Sequence, residues 1–134
     1  DAVREEIETN AKAGTLPKRI KKEVLTVGQK GESPPSKGDD CMVHYVARLE
    51  VDGEEFSSSR ADGSPVIFSL GAGHVFRGWD LAVATMVRGE VSKFICPPEY
   101  AYGKDGLPSS IPGDATLVLE LQLVHWRSEN DLFG

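Results

Sequence analysis

Cysteine is scarce in this chain: Cys41 and Cys96 are the only two in 134 residues. So few, so far apart, exclude a disulfide scaffold. There is no C-x-x-C or H-x-x-x-H spacing, and His44, His74 and His125 stand apart, so the usual zinc patterns are missing too and no metal is expected. No stretch approaches the roughly 20 consecutive apolar residues of a membrane-spanning helix. The N-terminus, DAVREE, is acidic rather than basic-then-apolar like a signal peptide. Positive charge is also in deficit, with 15 Lys and Arg against 21 Asp and Glu and a net charge of −6, which argues against nucleic acid as the main partner. What is present, 40% hydrophobic and 27% charged residues, is the composition of one water-soluble globular domain that can bury a core unaided. The cytoplasm, with the nucleus as an extension of it, is the compartment expected.

Residues 1–13 have the pattern of a short polar helix. Val3 and Ile7 are its single large apolar pair, and Asp1, Glu5 and Glu6 suit a helix N-terminus. The chain opens on Asp1, as a piece of something longer would. Lys18, Arg19, Lys21 and Lys22 form a basic run leading into Val24, Leu25 and Val27, and in an acidic chain such a run reads as a solvated strand start. Gly28 to Asp40, with Pro34, Pro35 and Gly38, reads as a turn-rich connection. Three strands follow by period two. Cys41, Val43, Tyr45, Ala47 and Leu49 share one face, as do Ser92, Phe94 and Cys96, and Leu117, Leu119, Leu121 and Leu123. Asp52-Gly53 marks a hairpin turn, and shorter strands are predicted near Glu55–Ser58 and Val66–Leu70. Trp79, Val83 and Met86 give Gly78–Met86 the only helical period inside the domain. An antiparallel sheet curled over one short helix is the α+β architecture that follows. Pro97–Ala115 lacks a sustained period, yet its Tyr100 and Tyr102 sit among glycines and prolines. That is the composition of an ordered, packed loop at a binding edge.

The search for chemistry finds no nucleophile. Ser57, Ser58 and Ser59 lack a G-x-S-x-G elbow, nothing in the sequence sets a His or Asp beside them, and they read as a bend at a strand end. Gly71-Ala72-Gly73 starts like a phosphate-binding loop, but the next glycine is Gly78, too late for G-x-G-x-x-G, and no Walker lysine follows. Both cysteines fall on the apolar side of their strands and read as small buried hydrophobes. What is left is aromatic: Tyr45, Phe56, Phe76, Trp79, Tyr100 and Tyr102. Tyr100 reads as core. Tyr45 and Tyr102 stand out because a buried tyrosine needs a partner for its hydroxyl.

Five ordered blocks carry a resemblance. They are Val43-His44-Tyr45, Phe56-Ser57-Ser58-Ser59-Arg60, Val75-Phe76-Arg77-Gly78-Trp79-Asp80, Tyr100-Ala101-Tyr102-Gly103, and Ile111 to Leu117. Together they resemble the FKBP-type peptidyl-prolyl isomerase domain, collinearly from Arg19 to Trp126. The resemblance implies a half-open antiparallel sheet of five to six strands wrapped around one short α-helix. It divides the chain into an N-terminal extension over 1–18, the domain over 19–127 and a tail over 128–134. It further implies cis/trans isomerisation of X-Pro bonds in client proteins, without cofactor, and binding of tacrolimus or rapamycin in the same pocket. Trp79 would be the pocket floor, with Tyr45, Phe56, Val75, Phe76, Tyr102 and Ile111 as walls. The N–H of Phe76 and the hydroxyl of Tyr102 would donate to ligand carbonyls.

The chain departs from the family pattern at four places. Ser57 stands where the family has Asp, Val66 and Leu119 replace pocket aromatics, and Asp62 replaces Arg. Losing both partners of an Asp–Arg pair is less costly than losing one. The changes reshape one side of the pocket and point to weaker turnover and weaker macrolide affinity. The competing reading is a non-catalytic interaction module or co-chaperone domain. Family members often sit in longer multidomain chains, and the tail SENDLFG would lead into such a region.

Overall fold

The computed structural model describes residues 16–128, the side chains of residues 61 and 62 excepted. The expected helix over 1–13 and all of the tail past Ser128 lie outside the described residues. Six strands form one antiparallel sheet: β1 (Lys21–Thr26), β2 (Asp40–Leu49), β3 (Glu55–Ser58), β4 (Val66–Ser69), β5 (Val91–Cys96) and β6 (Leu117–Arg127). Their order is β1-β5-β6-β2-β3, and β4 also pairs with β2. β3 lies along Val46–Arg48 and β4 along Asp40–Val43. They therefore share one side of β2, end to end. Between them sits a helical turn, α1 (Ser59–Asp62), too short to leave any period in the sequence.

The alternation read from sequence sets the core. Leu117, Leu119, Leu121 and Leu123 have no exposure, and neither do Ser92, Phe94 and Cys96. Leu119 pairs with Phe94 on one side and Ala47 on the other; Leu121 pairs with Ser92 and Tyr45. Register thus carries one apolar row across three strands. Both thiols are buried, and burial pushes each up to about 12, as for inert core residues. The hairpin at Asp52-Gly53 forms as expected: Gly53 takes a left-handed φ of 72°, and Leu49 N–H donates to Glu54 O.

The one longer helix, α2, spans Arg77–Val83 and is shorter than the period suggested. It is also buried on every side, Gly78 through Val83, rather than along one stripe. The reason is its cover. The sheet wraps one face, and the turn after β5 closes the other so tightly that a Cβ on Gly78 would meet Cys96 Sγ at 2.7 Å and Tyr100 O at 3.0 Å. Trp79, Leu81, Ala82, Val83 and Met86 all belong to the main core.

Lys22 departs from the expected solvated run. Its Nζ lies 2.9 Å from Glu90 Oε2 and 3.2 Å from Thr85 O, with Glu90 only 6% exposed. Glu90 in turn accepts from Ser92 Oγ at 2.7 Å. β1 is an edge strand exposed at most positions, and this network fixes its start to the loop beneath. The segment Pro97–Ala115 is ordered by its own backbone bonds: a 3-10 turn at Pro98–Tyr100, Gly106 N–H to Tyr102 O, an Ile111 to Leu107 bridge, and Asp114 N–H to Gly103 O.

Candidate functional site

Three elements deliver the aromatic side chains to one end of the sheet. β2 carries Tyr45, α2 carries Trp79 and is preceded by its cap residue Phe76, and the loop after β5 carries Tyr102. Their rings form a chain. Tyr45 and Trp79 lie 4.7 Å apart at 55°, Trp79 and Phe76 5.9 Å at 79°, and Phe76 and Tyr102 5.4 Å at 65°. Tilted and edge-on pairs at these separations are favourable because a ring edge meets a ring face. Phe56, Val66 and Val75 are half-buried against the main core, whereas Ile111 is buried with Leu49 and Leu117 in a second cluster. Phe56 and Phe76 touch both clusters, which therefore meet at these two rings. Leu119 has no exposure at all and belongs to the main core.

Polar groups beside these rings are few. Tyr45's hydroxyl is 2.6 Å from Ser57 Oγ, an unexpected pairing across β2 and β3. The Tyr102 hydroxyl and the Phe76 N–H have no hydrogen-bond partner among the described residues. Burial, and then the nearby Tyr45 hydroxyl, raises the Tyr102 phenol above its ordinary range, so it stays a neutral donor. Trp79 Nε1 is buried and without a partner among the described residues.

The neighbouring serines have structural duties. Ser58 Oγ caps α1 by accepting from Arg60 N–H at 3.1 Å. Ser59 Oγ accepts from Tyr45 N–H at 2.8 Å. It also lies 3.0 Å from His44 Nδ1, so a histidine does stand beside these serines, contrary to the sequence reading. Ser59 is 1% exposed and its hydroxyl is engaged with the β2 backbone, so Ser59 is not a reachable nucleophile.

Two residues were missed. Phe68, on β4, meets Trp79 edge-on at 6.2 Å and 78°; its alternation with Val66 and Leu70 was the available signal. Asp80 is 1% exposed, accepts from Gly71 N–H at 3.0 Å, and is raised to about 6, chiefly by desolvation. It helps to line a cavity of about 500 Å³ whose walls include Val75 and, from the ring chain, Phe76 and Tyr102.

Comparison with known proteins returns one family. The model for the FKBP-type peptidyl-prolyl cis-trans isomerase matches residues 31–124. "FK506-binding protein 59" of Drosophila melanogaster is 46% identical over 111 residues, covering 83% of this chain and 25% of that protein. "Peptidyl-prolyl cis-trans isomerase FKBP2" of Mus musculus is 45% identical over 96 residues, covering 72% of this chain and 68% of that protein. "Peptidyl-prolyl cis-trans isomerase FKBP4" of Homo sapiens is 45% identical over 100 residues, covering 75% of this chain and 22% of that protein. The chain thus spans about a quarter of the fly and human relatives and about two thirds of the mouse one.

Proposed function

Because the chain belongs to the FKBP-type peptidyl-prolyl cis-trans isomerase family and carries its isomerase domain, we propose that the aromatic cleft is where it turns over X-Pro bonds of client proteins. The observation that carries this reading is the ring chain Tyr45–Trp79–Phe76–Tyr102 with two unspent donors, Phe76 N–H and Tyr102 hydroxyl, at one end. Rotating an amide costs about 18–20 kcal/mol because the planar form has resonance. The twisted transition state loses that resonance and much of its dipole. A cleft walled by rings therefore favours it over the planar form, which water stabilises better.

Trp79 would hold the proline ring from below, with Tyr45, Phe56, Val75 and Ile111 around it. Phe76 N–H and Tyr102 would hold substrate carbonyls and fix the plane about which the bond turns. Lowering the barrier by about 4–7 kcal/mol would accelerate a step of tens of seconds by roughly 10³–10⁵-fold. No proton transfer or covalent intermediate enters.

The same cleft would take tacrolimus or rapamycin through those two donors. The neutral Ser57, in place of the carboxylate implied by the family pattern, is already engaged by Tyr45. With Val66 and Leu119 smaller than the family's aromatics, turnover and macrolide affinity are reduced on this reading.

Exchange NMR on a proline peptide tests it. The expected rate exceeds that of Trp79→Ala by at least tenfold. Equal rates, with peptide still bound, would leave an interaction module instead.

A further inference from the structure

The cavity beside the aromatic cleft holds a charge that nothing so far uses. Asp80 projects from α2 into this space of about 500 Å³, whose other walls are the Gly71–His74 turn, Arg77 and Ala101. One carboxylate oxygen accepts from Gly71 N–H at 3.0 Å. The other has neither a hydrogen bond nor an ion pair among the described residues. Asp80 is 1% exposed, and this second oxygen is not one of the fully buried atoms without a partner, so the little of the carboxylate that meets solvent does so at the cavity it lines, where an opposite charge would find an acceptor.

We propose that this cavity is a flanking subsite, and that Asp80 there receives the ammonium or guanidinium of a basic residue next to the substrate proline. The inference rests on the isomerase reading for the proline in the cleft. Val75, Phe76 and Tyr102 wall this cavity and belong to the proposed proline site, so a chain whose carbonyls meet Phe76 N–H and Tyr102 has a neighbouring side chain within reach of the shared wall. The volume suits a long side chain, and the buried end offers an oxygen rather than an apolar cap.

Charge agrees. The groups facing Asp80 are His74 from the turn, Arg77 from its own helix, and the Cys41 thiol on β2, which burial first, and then Asp39, Asp80 and Asp40, hold in its protonated form. His74 and Arg77 are exposed, with stems that reach toward water. The negative field lies behind the cavity, and the Arg77 guanidinium and the His74 ring lie at its rim. A long basic side chain entering past them reaches an acceptor that neither occupies.

The test uses proline peptides identical but for one residue, placed immediately before or after the proline: lysine, acetyl-lysine, norleucine or glutamate. Affinity is read by calorimetry on wild type and Asp80→Asn, which keeps an acceptor for Gly71 N–H. At one of the two positions the lysine peptide is expected to bind about tenfold tighter than norleucine. Acetyl-lysine, which keeps length and loses charge, is expected to match norleucine, and glutamate to bind worst. In Asp80→Asn the lysine advantage should shrink to within about twofold. Equal binding of lysine and norleucine by wild type at both positions overturns the inference, with no variant needed. So does a lysine advantage that survives in Asp80→Asn. Exchange NMR on the norleucine peptide reads isomerisation separately, so failure of the activity and failure of the subsite give different results.

Discussion

The Tyr45 hydroxyl and Ser57 Oγ stand 2.6 Å apart across β2 and β3. A neutral hydrogen bond therefore anchors the tyrosine that packs on Trp79, and it joins the two strands on the cleft side. Register accounts for it: Ala47 pairs with Ser57, which brings the serine within reach of Tyr45, two positions along β2 on the same face. A double-mutant cycle on Tyr45→Phe and Ser57→Ala should return a coupling of about 1 kcal/mol in urea unfolding. Additive effects would show that the contact contributes nothing.

Tyr102→Phe removes a donor that no described residue shares. Stability should change by less than about 0.5 kcal/mol, while kcat/KM for a proline peptide falls about tenfold, as for one lost hydrogen bond to the reacting chain. An unaltered kcat/KM would remove Tyr102 from the mechanism.

Asp80 should make stability pH-dependent with a definite sign. Desolvation raises its carboxyl from 3.8 to about 6, against the lowering by Gly71 N–H and His74. The folded state therefore holds the proton more tightly than the unfolded chain, and stability falls as pH rises from about 4 through 6. The loss from this group is on the order of 3 kcal/mol. Asp80→Asn lacks it, so in urea titrations at pH 4.5 and 7.5 the variant should gain on wild type at the higher pH. A gap that does not move with pH would contradict this.

Lys22→Met strips one partner from a buried pair and leaves Glu90 at 6% exposure with only Ser92 Oγ and Val87 N–H. The expected loss is about 3 kcal/mol, and Lys22→Met with Glu90→Gln should recover much of it. Thermal unfolding of the two variants decides the matter.

The parts of this fold that could be read in advance are those with one wet and one dry face. β2, β5 and β6 alternate cleanly because their inner faces meet α2. β1 showed itself only as a basic strand start and not by alternation, since an edge strand exposed at most positions places little demand on either face. α1 is four residues long, shorter than any period that could betray it. The cleft's rings were legible as residue types, but their hydrogen bonds were not. Tyr45 with Ser57 and His44 with Ser59 depend on strand register, and β2 against β3 shifts between Ala47 and Arg48. Asp80 escaped notice for a different reason. An acid in a helix's first turn ordinarily faces water, but α2 is buried on every side and the turn at Gly71 bonds to this one.

β6, the last described strand, is also the middle one, lying between β5 and β2. A chain leaving the ribosome can pair β1 with β5, and β2 with β3 and β4, but these remain two separate half-sheets. Only when residues 117–127 emerge does a shared centre join them, through contacts far apart in sequence. Until then α2 has no complete wall to lie against, and the apolar rows of both half-sheets stay open to water.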